Sequence, residues 1–174
     1  MDAQQLQYLE DLAPGQRYRS ATRITVSAAD SVAFARQFDP QPFHLDEEAA
    51  RGSVFGRLAA SGWHTAALTM RLLVDSAFRP AGGIIGGGMD ELRWPRPVYP
   101  GDELHLETEI LEVRPSRSRP EQGLVKARTT TFNGRDEPVQ VLVANLIVPR
   151  RRQPAAEDQQ REERPSANSS RQAP

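Results

Sequence analysis

Along the chain, hydrophobic and polar positions change their period in an ordered way. The stretch YRSATRITV alternates well enough for a strand. Ser27 then stands as the N-cap of a helix running to about Phe38, with Asp30 in its first turn and Phe34 and Phe38 on one face. DEEAARG reads as a short helix with acids at its start and Gly52 as its stop. From Gly62 to about Phe78, GWHTAALTMRLLVDSAF is apolar on nearly all sides, and its polar His64, Arg71 and Asp75 fall on one narrow stripe. A helix this apolar around its circumference is expected to be enclosed rather than laid on a surface.

Strand patterns follow. DELHLETEILEV alternates Leu104, Leu106, Thr108 and Ile110. GLVKARTTTF, an Asn133-Gly134 turn and PVQVLVANLIV come next, the last with Val139, Val141 and Val143 on one face and Leu142, Ala144 and Leu146 on the other. One enclosed helix and a long antiparallel sheet predict an α+β fold, a sheet wrapped around a helix, over residues 6–149. The apolar strand edges left over predict that the sheet continues into a partner subunit, as a homodimer. Residues 150–174 have no aliphatic residue larger than Ala and no aromatic, and are expected to form a disordered polar tail. The run Arg150 to Arg152 is followed by Glu157, Asp158, Glu162 and Glu163, which favours a solvated tail over phosphate or RNA contact.

Composition narrows the function. The 22 Lys and Arg against 23 Asp and Glu leave a net charge of −1, with no global field that calls for nucleic acid or an anionic membrane. No window approaches a membrane-spanning run, and MDAQQLQYLEDLAPGQ lacks the basic flank and apolar run of a signal peptide, so a cytoplasmic location is the expectation. With no cysteine, disulfides and thiolate chemistry drop out.

Candidate chemistry concentrates in FDPQPFHLD, residues 38–46. On a continued α-helix, Asp39 and His44 would lie roughly 140° apart around the axis. Pro40 and Pro42 disfavour helical geometry at Asp39 and Gln41, so the helix is expected to end near Phe38 and give way to a stiff, extended turn. Such a turn can aim carboxylate and imidazole at one point, where the two can activate water or relay a proton. A helix terminator followed by a half-buried histidine explains the same spacing. No Ser or Cys nucleophile stands at a recognisable distance, and His44-x-Asp46 offers two metal ligands without a third, so no metal site is expected.

FARQFDPQPFHLDEEAARGSVFGRLAASGWHTAALTMRLL resembles the hydratase segment of the MaoC-like dehydratases, the (R)-specific enoyl-CoA hydratases of the hot-dog fold. Their pattern runs Asp-x-Asn-Pro-x-His-x-Asp, then a Phe-Gly turn, then His-Gly-Met opening the central helix. Asp39, Pro42, His44, Asp46, Phe55, Gly56 and Gly62 match in order and spacing. RWPRPVYPGDEL is similar to the family's later strand-turn-strand. The resemblance implies that Asp39 and His44 activate water for addition to an enoyl thioester, and that the Gly62 N–H binds the thioester oxygen. It implies an acyl-CoA or acyl-carrier thioester as substrate, no cofactor beyond that CoA, and a place in fatty acid metabolism.

This chain departs from the pattern at three points. Gln41 replaces the family's Asn, Ser61-Gly62-Trp63 replaces His-Gly-Met, and Met70 falls where some members carry a Ser. Gln41, Phe43, Ser61, Trp63 and His64 are the substrate-facing candidates, although a histidine such as His64 is also expected as a satisfied core residue. Arg117 and Arg119, with Arg114 on the same turn and Arg93 and Arg96 behind them, are the candidates for CoA phosphates. His105 alternates with Leu104 and Leu106 and is expected in solvent. The glycines of AGGIIGGGMD are not a phosphate cradle and fit close backbone approach in the sheet or over an acyl chain. A hot-dog thioesterase, in which the same water attacks the carbonyl, and a non-catalytic acyl-thioester-binding protein are the competing readings.

Overall fold

The computed structural model describes residues 6–151. A short 3-10 turn, Leu9–Asp11, precedes β1 (Arg17–Arg19) and β2 (Ile24–Thr25). Then come α1 (Ala28–Phe38), α2 (Pro42–Leu45), α3 (Glu47–Arg51) and α4 (Gly62–Val74), followed by β3 (Ile85–Arg93), β4 (Glu103–Pro115), β5 (Gln122–Phe132) and β6 (Pro138–Pro149). The strands form one six-stranded antiparallel sheet in the order β1-β4-β5-β6-β3, with β2 also paired to β4. This is the hot-dog arrangement: the sheet curls around α4. The expected first strand is split in two, since both short pieces pair β4 with an exposed loop between them.

Leu104, Leu106, Thr108 and Ile110 are all buried on the face of β4 toward α4, as alternation predicts. The three aliphatic residues join Leu72, Leu73, Phe78, Val125, Val139 and Val148 in a single core. The helix itself differs from expectation. Its buried side is His64, Thr65, Thr69, Leu72 and Leu73, whereas Trp63, Met70 and Val74 are about half exposed. Small threonines let α4 lie close on the sheet, and their hydroxyls are satisfied there: Thr69 Oγ1 lies 2.9 Å from Thr65 O and 2.8 Å from Thr131 Oγ1. The sheet encloses one side of α4, so Trp63, Met70 and Val74 face outward beside the β3 edge, where Ile85 and Met89 are also exposed.

The C-terminal boundary also moves. Arg150 Nε bonds Glu10 at 2.9 Å and Arg151 bonds Asp11 at 2.6 Å, so these two arginines belong to the packed body. The rest of the expected tail, from residue 152, lies outside the described residues. His105 is half-buried rather than solvated, stacked on Phe132 with its Nε2 3.2 Å from Asp136.

Candidate active site

Two helix ends meet at the site. Ser27 caps α1 by accepting the Asp30 N–H, and Asp39 forms its C-cap with φ −150° and ψ 66°. The prolines act as expected at Asp39 and Gln41, but the link is not extended throughout. Pro42 occupies the first turn of α2, a place where its missing N–H costs nothing, and His44 therefore rides on a helical turn. Asp46 then caps α3, accepting the Ala49 N–H at 2.8 Å.

This path brings His44 Nε2 to 3.5 Å from Asp39 Oδ2. The histidine is buried, and the aspartate side chain is 16% exposed, so one end of the pair meets solvent. His44 Nδ1 lies 2.7 Å from the Ala59 carbonyl oxygen. A carbonyl can only accept, so Nδ1 carries the hydrogen and Nε2 is the nitrogen turned toward Asp39. Phe43 and Phe55 pack around the imidazole, with ring centroids 4.6 and 5.9 Å from it.

Asp39 is held at both oxygens. Gln41 Nε2 donates to Oδ1 at 2.7 Å, and Ser61 Oγ donates to Oδ2 at 2.6 Å. Burial pushes this carboxyl up, but the Ser61 and Gln41 hydrogen bonds and the nearby His44 outweigh it and hold Asp39 below the usual carboxylate range.

From the other side, α4 presents its N-terminus. Ser61 Oγ accepts the Trp63 N–H at 3.1 Å, and Ser61 O accepts the Thr65 N–H at 3.0 Å. Among the described residues no acceptor meets the Gly62 N–H, which remains available at the positive end of a 13-residue helix. A Cβ at position 62 would lie 2.9 Å from Trp94 Cε2, so only glycine fits beneath the indole. Trp94 is fixed in turn by its Nε1–H bond to buried Gln140 at 2.9 Å.

The expected site residues thus fall into groups. Asp39, Gln41, Phe43, His44, Ser61 and Gly62 converge. Ser61 is fully buried with its hydroxyl committed to Asp39 and Trp63, so it faces the aspartate rather than a substrate. Trp63 is half exposed and meets Trp94 edge-on at 5.5 Å. His64 points the other way, buried and stacked on Phe34 of α1 at 4.9 Å, and it is not satisfied: Nδ1 has no partner among the described residues. Arg117 and Arg119 lie on the β4–β5 turn, at the opposite end of the sheet; β4 alone is 13 residues long, or roughly 40 Å. Within one chain they do not approach the pair. Arg93 pairs with Glu91 and Arg96 with Glu137, while Arg114 pairs with Glu112.

Sequence reasoning missed the braces. Ala59 orients His44 through its carbonyl, which no residue type announces. Tyr99 donates its hydroxyl to Phe55 O at 3.0 Å, and Val98 O accepts the Ala60 N–H at 2.8 Å, so the PVYPGD segment holds the loop between α3 and α4. An apolar cavity of about 310 Å³ opens between α4 and the sheet, lined by Met70, Leu73, Phe78, Met89, Leu142 and Leu146. Gly86 and Gly88 border it without side chains. A larger open groove, about 680 Å³, lies by the β1–β2 loop, but its cations are already matched: Arg19 pairs with Glu107 and Arg23 with Glu103.

His64 has a consequence for stability. Burial holds its imidazole below the ordinary histidine value, with Asp30 partly opposing. As pH falls below about 6.5 the unfolded chain takes up this proton and the folded chain does not, so stability is lost with acidification until the folded value is passed. His105 is shifted in the same direction by burial and by Arg23. His64→Gln is therefore expected to flatten, but not abolish, the fall in urea midpoint between pH 7.5 and 5.5.

The profile of the MaoC like domain family matches residues 10–132. The MaoC-like dehydratase from Rhodospirillum rubrum has a crystal structure with TM-score 0.81 to this one, at 58% identity over 84% of this chain and 99% of that chain. The uncharacterized protein YdeM of Bacillus subtilis is 34% identical over 140 residues, 80% of this chain and 96% of its own length. The 3-hydroxybutyryl-CoA dehydratase of Methylorubrum extorquens is 32% identical over 113 residues, 64% of this chain and 69% of its own.

Proposed function

The chain belongs to the MaoC-like dehydratase family, and from that premise we propose that it hydrates an enoyl thioester, or dehydrates the 3-hydroxyacyl thioester, with Asp39 and His44 as the water-activating pair. The observation that carries this reading is the 3.5 Å approach of His44 Nε2 to Asp39 Oδ2 beside the free Gly62 N–H. Ionised Asp39 holds the water and His44 Nε2 takes its proton. The water oxygen bonds to the β-carbon, and the electron pair of the double bond moves toward the thioester oxygen. Gly62 N–H and the α4 dipole stabilise the enolate charge there. The proton on His44 then passes to the α-carbon, which closes the balance.

The relative that acts on 3-hydroxybutyryl-CoA supports a CoA thioester as substrate, and the cavity beside α4 suits an acyl chain. The working form is a homodimer, with the half-exposed Trp63, Met70 and Val74 and the β3 edge covered by a second copy. A turnover screen over short, long and branched enoyl-CoAs tests the proposal: loss of enoyl absorbance with no free thiol is expected. Thiol release without loss of the enoyl would transfer the site to thioester hydrolysis, and binding without turnover would make it a carrier site.

A further inference from the structure

We infer that Ser61 is a positioning residue, clamping the Asp39 carboxylate to the first turn of α4 so that the water-holding group and the Gly62 N–H are set as one unit. The inference rests on the hydration reading for its catalytic consequence, but the clamp itself stands on geometry.

Ser61 is fully buried, and both roles of its hydroxyl are filled. It accepts the Trp63 N–H at 3.1 Å as the cap of α4, which leaves its own hydrogen for Asp39 Oδ2 at 2.6 Å. The two residues stand 22 positions apart, one at the end of α1 and one at the start of α4. Gln41 holds the other oxygen, but it belongs to the same short segment as Asp39 and is exposed, so it shapes the turn without tying it to α4. Ser61 also selects which oxygen faces the imidazole, because the oxygen it holds is the one 3.5 Å from His44 Nε2. Gly62 follows Ser61 directly, so a shift of the clamp displaces the thioester donor with it.

The charge argument points the same way. Burial is the largest influence on Asp39 and would raise its pKa; the Ser61 hydrogen bond is the first of the groups that reverse it. Without that hydroxyl the carboxyl is less opposed to protonation, and only the exposed Gln41 still holds its orientation. The resemblance places an imidazole at this position in other members, whereas a serine here is short and buried enough to bond directly.

Ser61→Ala tests the inference. For a thioester the wild type hydrates, kcat is expected to fall roughly 10²-fold, with KM little changed and the acid limb of the kcat profile moved to higher pH. The Asp39 side-chain carboxyl signal in carbon-detected NMR should titrate at higher pH in the free, folded variant than in the wild type. Ser61→Thr, which keeps hydroxyl and cap, should recover most of kcat. An unchanged Asp39 titration in folded Ser61→Ala, or a kcat loss that vanishes once unfolded protein is corrected for, overturns the clamp. The NMR arm needs no turnover: if it moves while the wild type hydrates nothing, the clamp holds and the hydration reading fails.

Discussion

Replacing Asp39 by Asn is expected to lower kcat for hydration of an enoyl thioester by roughly 10²–10⁴-fold, the range for losing a positioned acid–base group. The substitution keeps size and nearly keeps shape, but an amide offers one acceptor where the carboxylate offers two. Ser61 Oγ–H and Gln41 Nε2–H both donate to Asp39, so one of them must face an NH₂ group instead. The charge that, on the proposed mechanism, orients water beside His44 Nε2 disappears at the same time. Because the side chain is 16% exposed, the misplaced amide can reach solvent, and the melting temperature is expected to move by only a few degrees. Steady-state kinetics beside a thermal melt checks both parts. Full activity in folded Asp39→Asn would remove the pair from the mechanism, and a large drop in melting temperature would reassign the aspartate to stability.

Gly62→Ala should damage the site by a different route, through packing. Alanine favours a helix over glycine by about 1 kcal/mol, which argued alone would make the variant more stable. The added methyl, however, meets Trp94 Cε2, Cδ2 and Cζ2 at 2.9, 3.0 and 3.2 Å. The indole cannot slide away without breaking its bond to Gln140, which is 1% exposed and would be left unpaired. Overpacking of this kind costs about 1–3 kcal/mol, so a net loss of stability is expected. On the proposed mechanism, moving the start of α4 carries the Gly62 N–H off the thioester oxygen and should reduce kcat roughly 10²-fold. A Gly62→Ala and Trp94→Phe cycle checks the cause: the two changes should be less than additive in stability. A Gly62→Ala variant more stable than the wild type, with unchanged kcat, would mean that the indole does not fix the start of α4 and that the added methyl leaves the N–H in place.

Much of the architecture was legible because its signals are local. Ser27, Gly52 and the prolines around Gln41 act within a few residues of themselves, and the helix ends fall where they predict. Leu104 to Ile110 declare a face by alternation, and that face is buried. The environment of α4 was not legible. Its composition reads as enclosed on all sides, yet threonines lie against the sheet while Trp63, Met70 and Val74 face outward. Periodicity reports how apolar a helix face is, not which neighbour covers it. The place of Arg117 and Arg119 was not legible for a related reason: a basic turn looks alike at either end of a sheet, and only strand direction sets it far from the pair of the same chain.

By itself, then, the sequence determined the α+β plan, the break of α1 before Asp39, and the short stiff link that puts a carboxylate and an imidazole near each other. These follow from backbone preferences that proline, cap residues and alternation impose wherever they occur. Tertiary structure alone decided that Ala59 O sets the tautomer of His44, that Ser61 faces Asp39 instead of a substrate, and that Trp94 closes over Gly62. Each of these contacts joins groups 15 or more positions apart. Hydrogen bonding and close packing act over a few ångströms, and such distances between remote residues exist only once the sheet has folded around α4.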